Sequence, residues 1–486
     1  MESNSPDKSF QLPKRITLVQ GVCLVIGVCI GSGIYVTPGK VILATNGSVG
    51  LSIFVWILSG LLCGLSALCY CELGSCVKQS GLDYTYFYVA FGPLPAFLYQ
   101  WVMVTLATTV GNAIKLIIFG SYFVSLLGVS LCKQEGSNLA KMSGILVLSA
   151  VTMMQFFSVK QSMRLEVFIT TLKLLSLTLF LAVGIFHLIA GNGTGAENFR
   201  NAFRPEELGK VQFLSIWNAV YFCTYTYNGW QVLNSATEEI INFQRTLPRA
   251  VIIAMSTLII GYSLTNVAYI AVLGAEEMTT GDVVAAKFAE KVFGSVSWLI
   301  PLIICASVLG SLNGGLFAGA RVLYSAASKG HMPQIFSMVH THRYTPIPAL
   351  IYKSSLTMII LYVGNFESLL LAYEFLMWTI NGLSAVSLLV LRWKQPRLRR
   401  PCKIPLLIPV VVVIASLSLV LLPLIERPAL SILGSVAYIL AGIPLYYIFV
   451  VKQAKIPGIS KCTYALQCIL QVASTSTGNL TNNTKC

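Results

Sequence analysis

Gly31-Ser32-Gly33-Ile34-Tyr35, with Pro38 soon after, interrupts an otherwise apolar run, Ile16–Val36. Tyr225-Thr226-Tyr227-Asn228-Gly229-Trp230 does the same inside a second run, Val211–Ala236. A glycine in a helix interior costs about 1 kcal/mol against alanine, and polar groups in hydrocarbon cost more. Such clusters line a cavity or mark unwinding; the competing reading is close helix packing through small residues.

The rest of the chain sets these interruptions in a membrane. Its 486 residues are 56% hydrophobic and only 10% charged, with a mean hydropathy of +0.76. Soluble domains carry about 25% charged residues, so soluble folds, disordered chains and nucleic-acid binders are excluded. One span needs about 20 apolar residues. Twelve apolar runs are read as spans, ten of them about that long or longer and Met142–Phe157 and Pro348–Gly364 shorter: Ile16–Val36, Leu51–Tyr70, Ala96–Leu127, Met142–Phe157, Val167–Ala190, Val211–Ala236, Ala250–Val272, Val296–Tyr324, Pro348–Gly364, Ser368–Leu391, Pro405–Leu424 and Leu430–Val451. The expectation is an all-α membrane protein with a tail at 1–15, a twelve-helix domain at 16–451 and a second tail at 452–486.

Charge then orients it. Residues 1–13 lack the layout of a cleaved signal, so the first span is expected to stay in the mature protein. With both termini in the cytoplasm, most of the 33 Lys and Arg residues fall inside, as positive-inside topology requires. The net charge of +15 is thus mainly an orientation signal. The densest basic run, Arg392 to Lys403, also has the composition to touch anionic lipid of the bilayer. Lys115, Lys173, Arg321 and Lys353 stay in or near the membrane.

The interruptions fall in the first and sixth spans, corresponding positions of two five-helix halves. Inverted repeats put discontinuous helices around a midplane site in this way. Unwinding exposes N–H groups at the start of each following half-helix, which suit a carboxylate; carbonyls ending each preceding half suit an ammonium. Together they make a receptor for an α-amino acid.

The chain resembles the light subunits of heteromeric amino acid transporters, in the L-type and cystine-exchanger branch of the amino acid–polyamine–organocation superfamily. The likeness runs from Arg15 to Val451. It includes Gly31 to Pro38, Ala90-Phe91-Gly92-Pro93-Leu94-Pro95-Ala96-Phe97-Leu98, Gly229-Trp230, Thr237-Glu238-Glu239, Thr265-Asn266-Val267-Ala268-Tyr269 and Ser328-Lys329-Gly330-His331-Met332-Pro333. The resemblance implies a LeuT-like fold, five helices plus five inverted with two more, and sodium-independent amino acid exchange by alternating access at the plasma membrane.

Carried over residue by residue, it implies that the substrate carboxylate meets Ser32, Gly33 and the surrounding N–H groups. The amine would meet carbonyls of Cys29, Tyr225 and Asn228, with Tyr225 also a gate. Asn228 and Gln231 depart from the family pattern. Lys173 matches a lysine that stands in for a sodium ion; the alternative is a lysine snorkelling to a helix end. Cys132, in a loop expected outside, matches the cysteine joined to a single-span glycoprotein heavy chain; the alternative is a free thiol.

The cystine/glutamate branch carries arginines at positions matching Thr108 and Met377. Without a fixed cation an acidic side chain is poorly compensated in a low-dielectric pocket, so neutral and aromatic amino acids are the expected substrates. Thr108, Trp230 and Met377 are the pocket candidates, with Phe375 and Trp378 nearby. The alternative is an anionic amino acid or cystine carrier whose cation comes from another helix, and Lys115 is one source. Glu72, Glu166 and Glu374 are expected near span ends, too few for a proton relay. A channel or an integral-membrane enzyme would need a continuous pore or a catalytic cluster. No metal spacing or cofactor motif occurs, so neither is expected. Asn192 in Asn192-Gly193-Thr194 is an external glycosylation sequon, and Thr463–Val472 is either an amphipathic helix on the membrane or simple tail.

Overall fold

A computed structural model describes residues 16–77, 83–128, 134–157, 159–190, 199, 202, 212–235, 240–280, 283–328, 330–341, 345–426, 430–452 and 459–474. Helices dominate: α1 Leu18–Cys29, α2 Gly33–Ala44, α3 Val49–Cys76, α4 Asp83–Phe91, α5 Pro93–Val102, α6 Thr108–Leu126, α7 Gln134–Phe157, α8 Val159–Ala190 and α9 Phe213–Tyr227. The second half holds α10 Val232–Ser235, α11 Phe243–Thr279, α12 Val284–Phe293, α13 Leu299–Ser328, α14 Ile347–Val363, α15 Phe366–Lys394, α16 Leu407–Glu426, α17 Leu430–Leu445 and α18 Ile459–Leu470.

Among the described residues, eight helical stretches are long and apolar enough to cross a membrane, two of them, Pro93–Leu126 and Leu430–Val451, running through a π-helical turn, and the bent pair α1–α2 counts as a ninth. Thr171–His187 and Ile347–Val363 are apolar but shorter. A helix stands at each run singled out in the sequence. The fold is that of an all-α membrane protein.

Local chemistry sets the helix ends. Thr17 opens α1 with a capping box, its hydroxyl accepting from the Gln20 N–H while the Gln20 side chain accepts from the Thr17 N–H at 3.0 Å. Asn365 caps α15 by accepting from the Ser368 N–H at 2.8 Å. The third span is not one ideal helix, because a π-helical turn, Met103–Ala107, joins α5 to α6.

Packing places the bent helix at the centre. α1 lies against α11, α2 against α9, and α13 fills the space between α6 and α8. α15 packs on α6, α9 and α16. Apolar side chains left exposed, such as Leu61, Ile253, Leu417 and Leu440, face outward as a lipid-contacting surface requires.

Helix α18, Ile459–Leu470, covers most of the stretch expected as an amphipathic helix, Thr463–Val472, and the last residue of that stretch opens a strand that was not expected. After α18, strand β2 Val472–Ser474 pairs antiparallel with β1 Met338–His340, and Val472 joins Ile335, Met338 and Ile347 in a small core. The segment docks on the α13–α14 connection because Val472 has an apolar cluster to enter and the strand has a partner edge.

A candidate substrate site between two helix breaks

The first break bends α1 against α2 by 55°. Ser32 holds the N-cap position of α2 but makes no side-chain capping bond, which leaves the first N–H groups of α2 available to an acceptor. The second break follows α9: Asn228 is extended and Gly229 has φ of 120°, a conformation that favours glycine.

The breaks interlock. A Cβ on Gly33 would stand 2.6 Å from Thr226 Oγ1 and 2.9 Å from Thr226 Cα, and one on Gly229 would stand 2.9 Å from Val28 Cγ1. Each break's glycine is therefore the contact surface for the other broken helix. Thr37 and Thr226 hydroxyls, 2.9 Å apart, fasten the crossing, and the Tyr225 hydroxyl interacts with Ser32. Ser32, Gly33 and Tyr225 are thus brought together across the breaks.

Two of the three carbonyls expected to receive an amine, those of Cys29 and Tyr225, are engaged within the chain. Cys29 O accepts from the Gly31 N–H at 2.7 Å and from the Tyr262 hydroxyl at 2.9 Å, and Tyr225 O accepts from the Asn228 N–H at 3.3 Å. An arriving ammonium would exchange with one of these donors. The Asn228 side chain instead reaches Tyr373, donating to its hydroxyl at 3.1 Å. The Tyr373 ring meets Tyr225 edge-on at 5.8 Å and lies where a Cβ on Gly111 would be 3.1 Å from Tyr373 Cε2. Tyr373 therefore closes the gap between the second break and α6.

Two lysines back the first break. Lys173 is 2% exposed, which does not fit a snorkelling side chain, and its ammonium donates to Ser311 Oγ at 3.0 Å. Lys115 donates to Ser311 O at 3.0 Å, and Ser311 Oγ is 4.0 Å from the position of a Cβ on Gly31. Ser311 of α13 thus gathers both cations at the rear of the Gly31–Gly33 break.

A third lysine meets one of the pocket candidates, Thr108. Lys353 of α14 is fully buried; its ammonium donates to Val104 O and Thr108 Oγ1, and to Thr109 Oγ1 at 3.1 Å. Gly319 makes room, since a Cβ there would stand 3.0 Å from Lys353 Cε. On α6, Thr108, Gly111 and Lys115 recur with helical spacing and share a face. That face carries Lys353 at one end, Tyr373 in the middle and Lys115 at the other.

The amino acid permease family profile matches residues 16–451. The chain belongs to that family. The permease is 38% identical to the human cystine/glutamate transporter over 467 residues, covering 95% of this chain and 91% of that one. It is 34% identical to the human b(0,+)-type amino acid transporter 1, covering 93% and 90%. It is 33% identical to the rabbit (Oryctolagus cuniculus) large neutral amino acids transporter small subunit 2, covering 93% and 84%. The permease is a multi-pass membrane amino acid transporter of the heteromeric light-subunit type, not an enzyme.

Other expected residues fall in different settings. Met377 is 8% exposed, one turn beyond Tyr373. Trp230 packs edge-on against Tyr70 at 4.9 Å and is 2% exposed, so it sits in the core beside the second break. Glu374 is a correction: it lies well inside α15, 1% exposed, and accepts from the Thr224 hydroxyl at 2.7 Å. The helix starts at Phe366, so Glu374 sits more than two turns from its end, under the packed face of α9. Cys132 and Asn192 lie outside the described residues. Among the described residues, no three His, Cys, Asp or Glu side chains group as a metal site.

Tyr373 and Ser311 are the residues beside the two breaks that sequence reading missed. A lone tyrosine or serine in an apolar span carries no facing information by itself. Lys353 had a signal, an ammonium within an apolar run, but its partner on α6 is distant in sequence.

Proposed function

We propose that the permease exchanges amino acids across the plasma membrane by alternating access, without sodium, as the light chain of a heterodimer disulfide-linked through Cys132. Its twelve spans would form a LeuT-like 5+5 inverted repeat with both tails, 1–15 and 452–486, cytoplasmic. The interlocked breaks support an amino acid backbone site: α2 offers uncapped N–H groups to the carboxylate, and Cys29, Tyr225 and Asn228 offer carbonyls to the amine. Lys173 supports sodium independence, because its ammonium already supplies a cation behind the first break.

The substrate class rests on Lys353. Thr108 and Met377 are uncharged, which favoured neutral substrates. The Lys353 ammonium donates to Val104 O and to the Thr108 and Thr109 hydroxyls. It would supply the fixed cation that an acidic side chain needs once an arriving carboxylate takes the place of one of these acceptors. No acidic side chain pairs with Lys353 among the described residues. The permease therefore takes amino acids with an anionic side chain, or cystine, ahead of large neutral ones. The human relative at 38% identity, the cystine/glutamate transporter, agrees in kind.

Counterflow in proteoliposomes holding the permease with its heavy chain tests this. External glutamate, aspartate or cystine should accelerate efflux of labelled glutamate, equally with sodium or choline outside. Acceleration by leucine or phenylalanine alone would return the neutral reading. On gels, a band at the combined mass that collapses under reductant and is missing in Cys132→Ser would support the linkage; its persistence in Cys132→Ser would sink it.

A further inference from the structure

Between α15 and α16 the chain folds into a cradle. Arg392 donates through Nε to Glu72 Oε1 at 2.9 Å, through NH2 to Glu72 Oε2, and to Ile404 O at 2.7 Å. Ile404 N–H donates to Glu72 Oε2 at 2.9 Å. Arg400 turns back to cap α15, donating to Leu391 O and Gln395 O at 3.0 Å each. Its Nε, 3.6 Å from Glu72 Oε1, makes no hydrogen bond. The result is a cavity of about 560 Å³ lined by Arg392, Arg400, Lys403, Ile404, Pro405 and Leu406, among others, with no acid in its wall.

Charge does not balance there. Glu72, behind the wall, answers one of three cationic lining groups. Positive-inside topology asks only for basic residues near a span end and places no demand on their arrangement. Here the run is folded and its guanidinium groups are fixed by carbonyls and a carboxylate. Leu406 of the lining is 58% exposed, and next to lining residues in the chain Trp393 is 81% and Leu407 72% exposed. A cationic pocket beside an exposed tryptophan, where an apolar helix begins, has the composition of a membrane–water boundary.

We propose that this pocket binds the phosphate headgroup of an anionic membrane lipid, in the leaflet that the charge bias assigns to the cytoplasm. Lys403 supplies an exposed ammonium, Arg392 and Arg400 supply the positive charge of the wall, and Leu406 offers an apolar surface to the acyl chains. The occupant sits beside the Arg392–Glu72 pair that ties α15 to α3, so binding should stabilise the fold.

The test uses the permease with its heavy chain in phosphatidylcholine nanodiscs, with and without phosphatidylinositol 4,5-bisphosphate, and reads thermal unfolding. The lipid should raise the midpoint by about 3 °C. Lys403→Gln should remove at least half of that rise, and Lys403→Arg should keep it. Arg397→Gln removes the same charge from the same basic run outside the lining and should keep the full rise. Equal losses in Lys403→Gln and Arg397→Gln, or no loss in either, would overturn the pocket. An equal rise from inorganic phosphate or soluble inositol trisphosphate in plain phosphatidylcholine discs would overturn the lipid assignment.

Discussion

The Lys353 ammonium and the Thr108 hydroxyl meet across 245 residues of sequence, inside the bundle formed by α14 and α6. The contact joins a buried cation to the face of α6 that also carries Gly111 and Lys115. If the cation reads an acidic side chain, Lys353→Met should weaken acidic substrates selectively. Losing a desolvated charge partner costs about 2–5 kcal/mol, a rise in KM of about thirtyfold or more. The variant should still reach the membrane, since a methionine removes a buried charge at similar volume. Uptake kinetics for glutamate and leucine, normalised to surface protein, measure it; an equal change for both would refute selectivity at Lys353.

Tyr373 should matter to every substrate alike. Tyr373→Phe removes the bond to Asn228 while keeping the ring against Tyr225 and Gly111, a loss of about 1 kcal/mol. The expected result is about a fivefold rise in KM across acidic and neutral amino acids. Tyr225→Ala should lower exchange further at equal surface expression. A Tyr373→Phe variant with unchanged kinetics would place the tyrosine outside the site.

Gly33→Ala should abolish most exchange even though alanine favours helix. The propensity gain is about 1 kcal/mol. Against it stands a Cβ 2.9 Å from the Thr226 Cα, where backbone must give way and the two breaks must separate. Exchange should fall more than about tenfold, while an alanine at Gly261, where a Cβ meets nothing within 4 Å, should be tolerated. Equal activity of the two variants in counterflow would show that the breaks do not need their close approach.

Stability should depend on pH through Asp83, which opens α4 outside the apolar spans. Burial pushes its carboxyl up to about 6 from 3.8, against opposing hydrogen bonds from Ser384, Tyr70 and Tyr99. The folded state therefore holds the proton more tightly than the unfolded chain. This contribution is fully present below pH 3.8 and is lost as pH rises through about 6. Thermal unfolding of the purified complex between pH 5 and 7 should show a fall that Asp83→Asn flattens. An unchanged slope in that variant would assign the pH dependence elsewhere.

Much of the site is written in local sequence. Gly31-Ser32-Gly33 and Asn228-Gly229 mark the breaks because glycine and short polar residues disfavour a continuous helix, a property of neighbouring residues alone. Apolar runs of span length fixed the membrane, and the bias of Lys and Arg gave an orientation. Glu374, expected near a span end, shows the limit of boundaries drawn by hydropathy: α15 extends past the apolar run at both ends.

Tertiary structure decided which faces meet. Spans such as α8 and α14 are apolar nearly all round, because lipid and protein interior are equally apolar, so periodicity does not say which side turns inward. Lys173 on Ser311, Tyr373 between Asn228 and Gly111, and Lys353 on Thr108 depend on helix rotation and on small residues that admit close approach. The sequence alone determined a helical membrane chain with two broken spans. Packing turned Thr108 from a position lacking a cation into one that holds it.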